Sequence, residues 1–148
     1  MAESRNNSTN PAGRPDLANS TDYSAVSKQE MAQAGLLAFF AIAKEWDLTT
    51  DEQRKLLGNP SRSRFFDLKA GKKSNLSEDE LDRLAYITGI YTTLNILYNL
   101  ENTLLWLKNS SEPASIWHGQ SPLQYLLTGK MIALIDVYRY LNGIRGAA

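Results

Sequence analysis

Between Arg54 and Lys73 the chain concentrates side chains able to grip a polyanion. Arg54, Lys55, Arg62, Arg64, Lys69, Lys72 and Lys73 stand against the single acid Asp67. Ser61 and Ser63 alternate with two of the arginines, so hydroxyl and guanidinium groups share one short stretch. Arginine can hold guanine through two hydrogen bonds, serine can serve a base or a phosphate, and nearby lysines neutralise backbone charge. The chemistry indicated is recognition of nucleic acid. Ser61, Arg62, Ser63, Arg64, Lys69, Lys72 and Lys73 are the candidate contacts, with Arg62 and Arg64 first among them. A solvated basic face on an unrelated helix is the competing account, and charge alone favours it. The local helix pattern reverses that preference.

Catalytic constellations are missing from the sequence. There is no HExxH, no phosphate-binding glycine loop, no zinc spacing and no nucleophile elbow. Asp79 and Glu80 form an acidic cluster at a helix start, where carboxylates complement the dipole, and not a pair for acid–base work. His118, the only histidine, lies beside Trp117 without partner ligands, and the absence of cysteine excludes disulfides and thiolate metal sites. No cofactor, metal or enzymatic activity is expected. The 148 residues carry 16 basic and 16 acidic side chains, so neutrality hides the local basic cluster; acid returns directly after it at Glu78, Asp79, Glu80 and Asp82. The most apolar run, Leu36 to Ala43, stops at Lys44 and Glu45, far short of the roughly 20 residues a membrane span needs. The expectation is a cytoplasmic protein with no membrane partner.

The elements that position the basic residues read as helices throughout. Residues 1–25 are rich in Asn, Ser, Thr, Ala, Gly and Pro and are expected to be a disordered tail. From about Ser27, Leu36, Phe39, Phe40, Ala43 and Trp46 fall at helical spacing on one face. Thr50 is read as the N-cap of the next helix, with Gln53 closing a capping box and Leu56 and Leu57 as its buried edge. Gly58 suits the left-handed position that ends a helix, Asn59 can cap the following one, and Pro60 belongs in its first turn. The third helix is then expected over roughly Pro60 to Lys69, with Phe65 and Leu68 turned to the core and Gly71 ending it. Two short helices about a tight turn, the second starting with short polar and basic side chains, make the layout of a helix-turn-helix DNA reader.

Ser77 and Glu80 form a further capping box, opening a long helix whose Leu81, Leu84, Ile87, Tyr91, Leu94 and Tyr98 line one stripe, with Ile90 and Leu97 on the opposite edge. Packing within one chain and a homodimer interface account for this pattern equally well. A short helix follows over Asn99 to Leu107. Another is capped by Ser121, with Pro122 in its first turn and Gly129 at its end. The last is expected from about Lys130 to Leu141, ahead of a small-residue tail, Asn142 to Ala148.

The second half carries a resemblance. Trp106-Leu107, Ile116-Trp117-His118-Gly119-Gln120-Ser121-Pro122-Leu123 and Val137-Tyr138-Arg139-Tyr140-Leu141-Asn142-Gly143-Ile144-Arg145-Gly146 resemble the toxin-binding domain of the Xre/MbcA/ParS antitoxins. Trp46-Asp47-Leu48, Leu56-Leu57-Gly58, the Ser-Arg-Ser start of the third helix and Gly89-Ile90-Tyr91 resemble the Xre-like helix-turn-helix domain that precedes it. Ser110-Ser111 departs from the family's usual Pro-Asn, and Leu68 from the usual tryptophan. The resemblance implies an all-α fold: an Xre-like helix-turn-helix bundle over 26–98 and a small helical toxin-binding domain over 99–148. It further implies an antitoxin that neutralises a RES-domain toxin, one that consumes NAD or transfers ADP-ribose, and that represses its own promoter. Trp117, Gly119, Tyr138, Arg139, Arg145, Gly146, Ala147 and Ala148 become candidate toxin contacts. Apart from the resemblance, Arg145 reads as a cation near a helix C-terminus. A stand-alone transcriptional regulator with a dimerising or sensing C-terminal half is the alternative.

Overall fold

The computed structural model describes residues 20–111 and 115–147. Seven helices follow in order: α1 Ser20–Glu45, α2 Thr50–Leu56, α3 Arg62–Lys69, α4 Glu78–Leu97, α5 Leu100–Lys108, α6 Pro122–Leu126 and α7 Met131–Ala147. Among the described residues there is no strand, and no helix is long and apolar enough to cross a membrane. The fold is all-α, as the sequence indicates. The chain divides at Met31, and the core and the candidate site both belong to the compact unit from Ala32 onward.

α1 begins earlier than expected. Residues 20–25, read as part of the tail, are helical, because no glycine or proline interrupts the chain from Ser20 to Ala34 and an existing helix extends at little cost. The rest of the expected tail, 1–19, lies outside the described residues. From Leu36 onward α1 contributes Leu36, Phe39, Ile42 and Ala43 to the core, and Trp46 follows directly after its end.

The caps around the turn correct the reading at two places. Thr49, not Thr50, caps α2: its side chain accepts from the Glu52 amide, and Glu52 answers by accepting from the Thr49 amide at 2.8 Å. Gln53 is thereby freed for the interior, where its side-chain amide donates to the Leu48 carbonyl. In the turn both Gly58 (φ 92°) and Asn59 (φ 63°) adopt left-handed backbone. Asn59 therefore cannot supply the extended backbone of an N-cap, and Ser61 does so, its hydroxyl accepting from the Arg64 amide at 3.1 Å. α3 starts two residues later than read, at Arg62, with Pro60 left in the turn.

Ser77–Glu80, Asn99 and Ser121–Gln124 cap α4, α5 and α6. α4 runs through the middle of the core, burying Leu84, Ile87, Ile90 and Leu94, and its most extensive packing partner is α7. Gly89 permits that approach, since a Cβ there would lie 2.5 Å from Cε1 of Tyr138. One continuous buried cluster takes residues from both of the expected segments, 26–98 and 99–148, reaching from Leu36 to Leu141. Arg83 of α4 crosses between them. Its guanidinium donates to the Gly129 carbonyl at 2.8 Å and the Leu56 carbonyl at 3.4 Å, while its Nε donates to Asp79 at 2.8 Å.

The C-terminal helix is longer than expected. Residues 142–147, read as a tail, continue α7. The roughly 1 kcal/mol each that Gly143 and Gly146 cost a helix is tolerated, because Leu141 is fully buried and Ile144 half-buried one turn on.

Candidate nucleic-acid interface

α3 has two faces, and their separation makes the site. Phe65 and Leu68 are buried and hold the helix to the core. Arg62, Phe66 and Lys69 are exposed and recur at the four- and three-residue spacing of a single helical face, and Ser63 is exposed at its edge. Ser61 sits at the exposed N-cap and Lys72 and Lys73 in the exposed loop beyond Gly71. Six of the seven residues predicted for nucleic-acid contact thus lie on or beside one open surface.

Arg64 is the exception. Its Nη2 donates to Oε1 of Glu80 at 2.6 Å and its Nε to Oε2 at 3.1 Å, and Nη2 also donates to the Asn75 carbonyl. The two side chains are only 27% and 12% exposed. Read from sequence as a first choice for base contact, Arg64 is instead a clamp tying α3 to the start of α4. Its position explains this: in the third residue of α3 it turns toward the buried side. Glu80 has a double task, since Oε1 also accepts the Ser77 amide that closes the α4 capping box. Burial opposes charge on Glu80, but the hydrogen bonds from Arg64 and Ser77 outweigh it and hold the carboxyl below its usual range. The hydrogen bonding to Glu80 in turn raises the Arg64 guanidinium above its usual value against the opposing effect of burial.

Arg62 has no such burial. It is 60% exposed, 3.5 Å from Asp51 of α2, itself largely exposed, and its guanidinium lies 5.5 Å over the Phe66 ring. Lys69 passes 5.9 Å over Phe40, and Lys73 pairs with Asp67 at 3.5 Å. Phe66, which the sequence reading missed, is 42% exposed in the middle of this basic surface. Its signal was the spacing: one residue after the core Phe65 and four after Arg62.

The residues singled out in the C-terminal half do not form one surface. Trp117 is 5% exposed and belongs to the core, packed against Trp106, Tyr125 and Tyr140. Its turn drives it inward, with His118 (φ 54°) and Gly119 (φ 85°) both left-handed and the Gln120 amide donating back to the Trp117 carbonyl. Trp117, expected among the toxin contacts, is thus placed by the structure as a buried support of this region. His118 is exposed. Tyr138 is half-buried over Gly89 and edge-on to Tyr86. Arg139, Arg145 and Gly146 are exposed on α7, Ala147 ends it, and Ala148 lies outside the described residues. Alongside them, Leu100, Leu105, Ile116, Ile132 and Tyr140 are apolar side chains left exposed. Among the described residues no cluster of His, Asp or Glu could hold a metal ion.

A capped helix with a basic outward face, set after a short helix and a left-handed turn in an all-α core, defines a helix-turn-helix protein of the DNA-binding class. Residues 25–89 match the antitoxin Xre-like helix-turn-helix domain. An uncharacterised protein, y4oB, of Sinorhizobium fredii (strain NBRC 101917 / NGR234) is 38% identical over 114 residues, spanning 76% of this chain and 85% of its own. The chain belongs to the Xre-type antitoxin family.

Proposed function

We propose that this antitoxin reads its own promoter with α3 and neutralises a RES-domain toxin with α5 to α7. The open basic face of α3, carrying Ser61, Arg62, Ser63, Lys69, Lys72 and Lys73 within the matched domain, is the observation that carries the DNA half of the reading. Side chains at the start of such a helix enter the major groove, and lysines beyond it meet phosphate. Arg64 takes part by fixing the pose of the helix. Binding as a homodimer to two half-sites one helical turn apart fits this geometry.

The toxin half is supported by the exposed apolar side chains of α5 and α7 and by the exposed Arg139 and Arg145 of α7. Guanidinium groups can occupy positions that an anionic nucleotide would need, so the mechanism is occlusion of the toxin's NAD cleft by the end of α7. Because residues 142–147 are helical, a helix end enters or covers that cleft, in place of an extended tail.

Two measurements separate the halves. The purified chain should shift a duplex from its own promoter, with affinity falling steeply as salt rises; salt-independent or absent binding would remove the DNA reading. Co-expression with the RES-domain protein of the neighbouring reading frame should restore growth and yield a complex, and a chain ending at Leu141 should lose that protection while still binding DNA. Full protection by the shortened chain would clear the end of α7 of the task.

A further inference from the structure

The exposed face of α3 contains one side chain that phosphate chemistry does not explain. Phe66 leaves 42% of its surface open among Arg62, Ser63 and Lys69. It is also held in place. Phe65 meets its ring edge-on at 5.2 Å, and the Arg62 guanidinium lies over it, 5.5 Å from its centroid. An aromatic ring fixed at the centre of a basic surface forgoes part of the stabilisation that burial would give, and it is complementary to something apolar embedded in an anionic partner. In a DNA major groove the apolar feature is the 5-methyl group of thymine. Arg62 and Phe66 are one helical turn apart, about 6 Å along the axis, so they address base pairs within one or two steps of each other.

We propose that Phe66 is a specificity-determining contact that takes a thymine 5-methyl group in the major groove, next to a guanine held by the Arg62 guanidinium. The guanidinium of Arg62 lies over the ring, 5.5 Å from its centroid, so the two side chains read as a unit. Asp51, 3.5 Å from Arg62, holds it from the α2 side until guanine replaces that partner. This inference rests on the reading of α3 as a DNA-binding helix, and the test keeps the two apart.

The full chain is used to select duplexes from a random DNA library, and each thymine of the enriched site is then replaced in turn by deoxyuridine, which lacks only the methyl group. At one thymine, beside or one step from a guanine, the replacement should weaken binding about fourfold, the worth of one buried methyl group. Phe66→Ala, whose fold is checked by its thermal unfolding curve, should bind the two duplexes equally, and Phe66→Leu should keep part of the discrimination. Replacing the neighbouring guanine by 7-deazaguanine should weaken the parent protein and leave Arg62→Ala unaffected. If the protein enriches a site but is indifferent to uracil at every position, or if Phe66→Ala still discriminates, the inference is wrong while the DNA reading stands. If no duplex is enriched, both fall.

Discussion

The region around α3 and the region from α5 to α7 are both helical and share one core, yet they are held by different forces. α3 has two buried apolar anchors, Phe65 and Leu68, and its pose is set by polar devices: the Ser61 cap, the Arg64–Glu80 pair and the α4 capping box behind it. The later region is held by interlocking aromatics, with Trp117 inside a cage of Trp106, Tyr125 and Tyr140, and by the tight α4–α7 approach at Gly89. A single polar substitution should therefore change what the first region does. In the second, it takes a change of volume.

The largest effect is expected at Trp117. Trp117→Ala should lower unfolding free energy by about 3–5 kcal/mol in a denaturant titration, and a loss below about 1 kcal/mol would show that the aromatic cage does not support the region. Arg64→Ala should cost about 2 kcal/mol, because it leaves a largely buried Glu80 without its charged donor, and should weaken DNA binding. Its slope of log affinity against log salt should stay unchanged, whereas Lys72→Ala should flatten that slope by about 0.9; a flattened slope for Arg64→Ala would return Arg64 to the contact surface.

The same pair predicts a pH response. Since the folded Glu80 carboxyl is held below its usual range, its contribution is intact above about pH 4.3 and is lost as pH falls through the lower folded value. Glu80→Gln should remove this acid-side loss of stability, and identical acid limbs for the two proteins would deny Glu80 the role. Gly89→Ala comes next. Overpacking against Tyr138 costs about 1–3 kcal/mol, offset by about 1 kcal/mol of helix propensity, so calorimetry should show a net loss of about 1 kcal/mol; a gain would mean that the Tyr138 ring moves aside freely. Smallest is Asp51→Asn. The exposed pair with Arg62 should change stability by less than about 0.5 kcal/mol, but freeing Arg62 should tighten DNA binding slightly, and weaker binding would show that Asp51 orients Arg62 usefully.

How much of this was legible follows the distance over which each residue acts. The capping boxes at Ser77 and Ser121 and the left-handed Gly58 depend on neighbours within a few positions, and the sequence displays them directly. Thr49 and Thr50 each have a Glu or Gln three residues on, so the local pattern allows either register, and the buried Gln53 decides between them. Arg64 looked like a free base reader because its partner lies sixteen residues away. The burial of Trp117, which the resemblance places among the toxin contacts, was not legible because the cage around it comes from α5, α6 and α7. The open face of α3 was legible as charge, and Phe66 within it was hidden by its neighbour Phe65, which the same periodicity assigns to the core.

Arg83 bears on how far the protein can be cut into parts. By holding the carbonyls of Leu56 and Gly129 at once, it makes the end of α2 and the turn before α7 share a single donor. A fragment ending at Tyr98 would keep the whole basic face of α3, but it would strip Arg83 of its hydrogen bond to Gly129 and bare the α4 surface on which α7 rests. The helix-turn-helix and the helices after it are thus joined through one core: an isolated helix-turn-helix piece should need α7, supplied in cis or as a peptide, before it folds as a module.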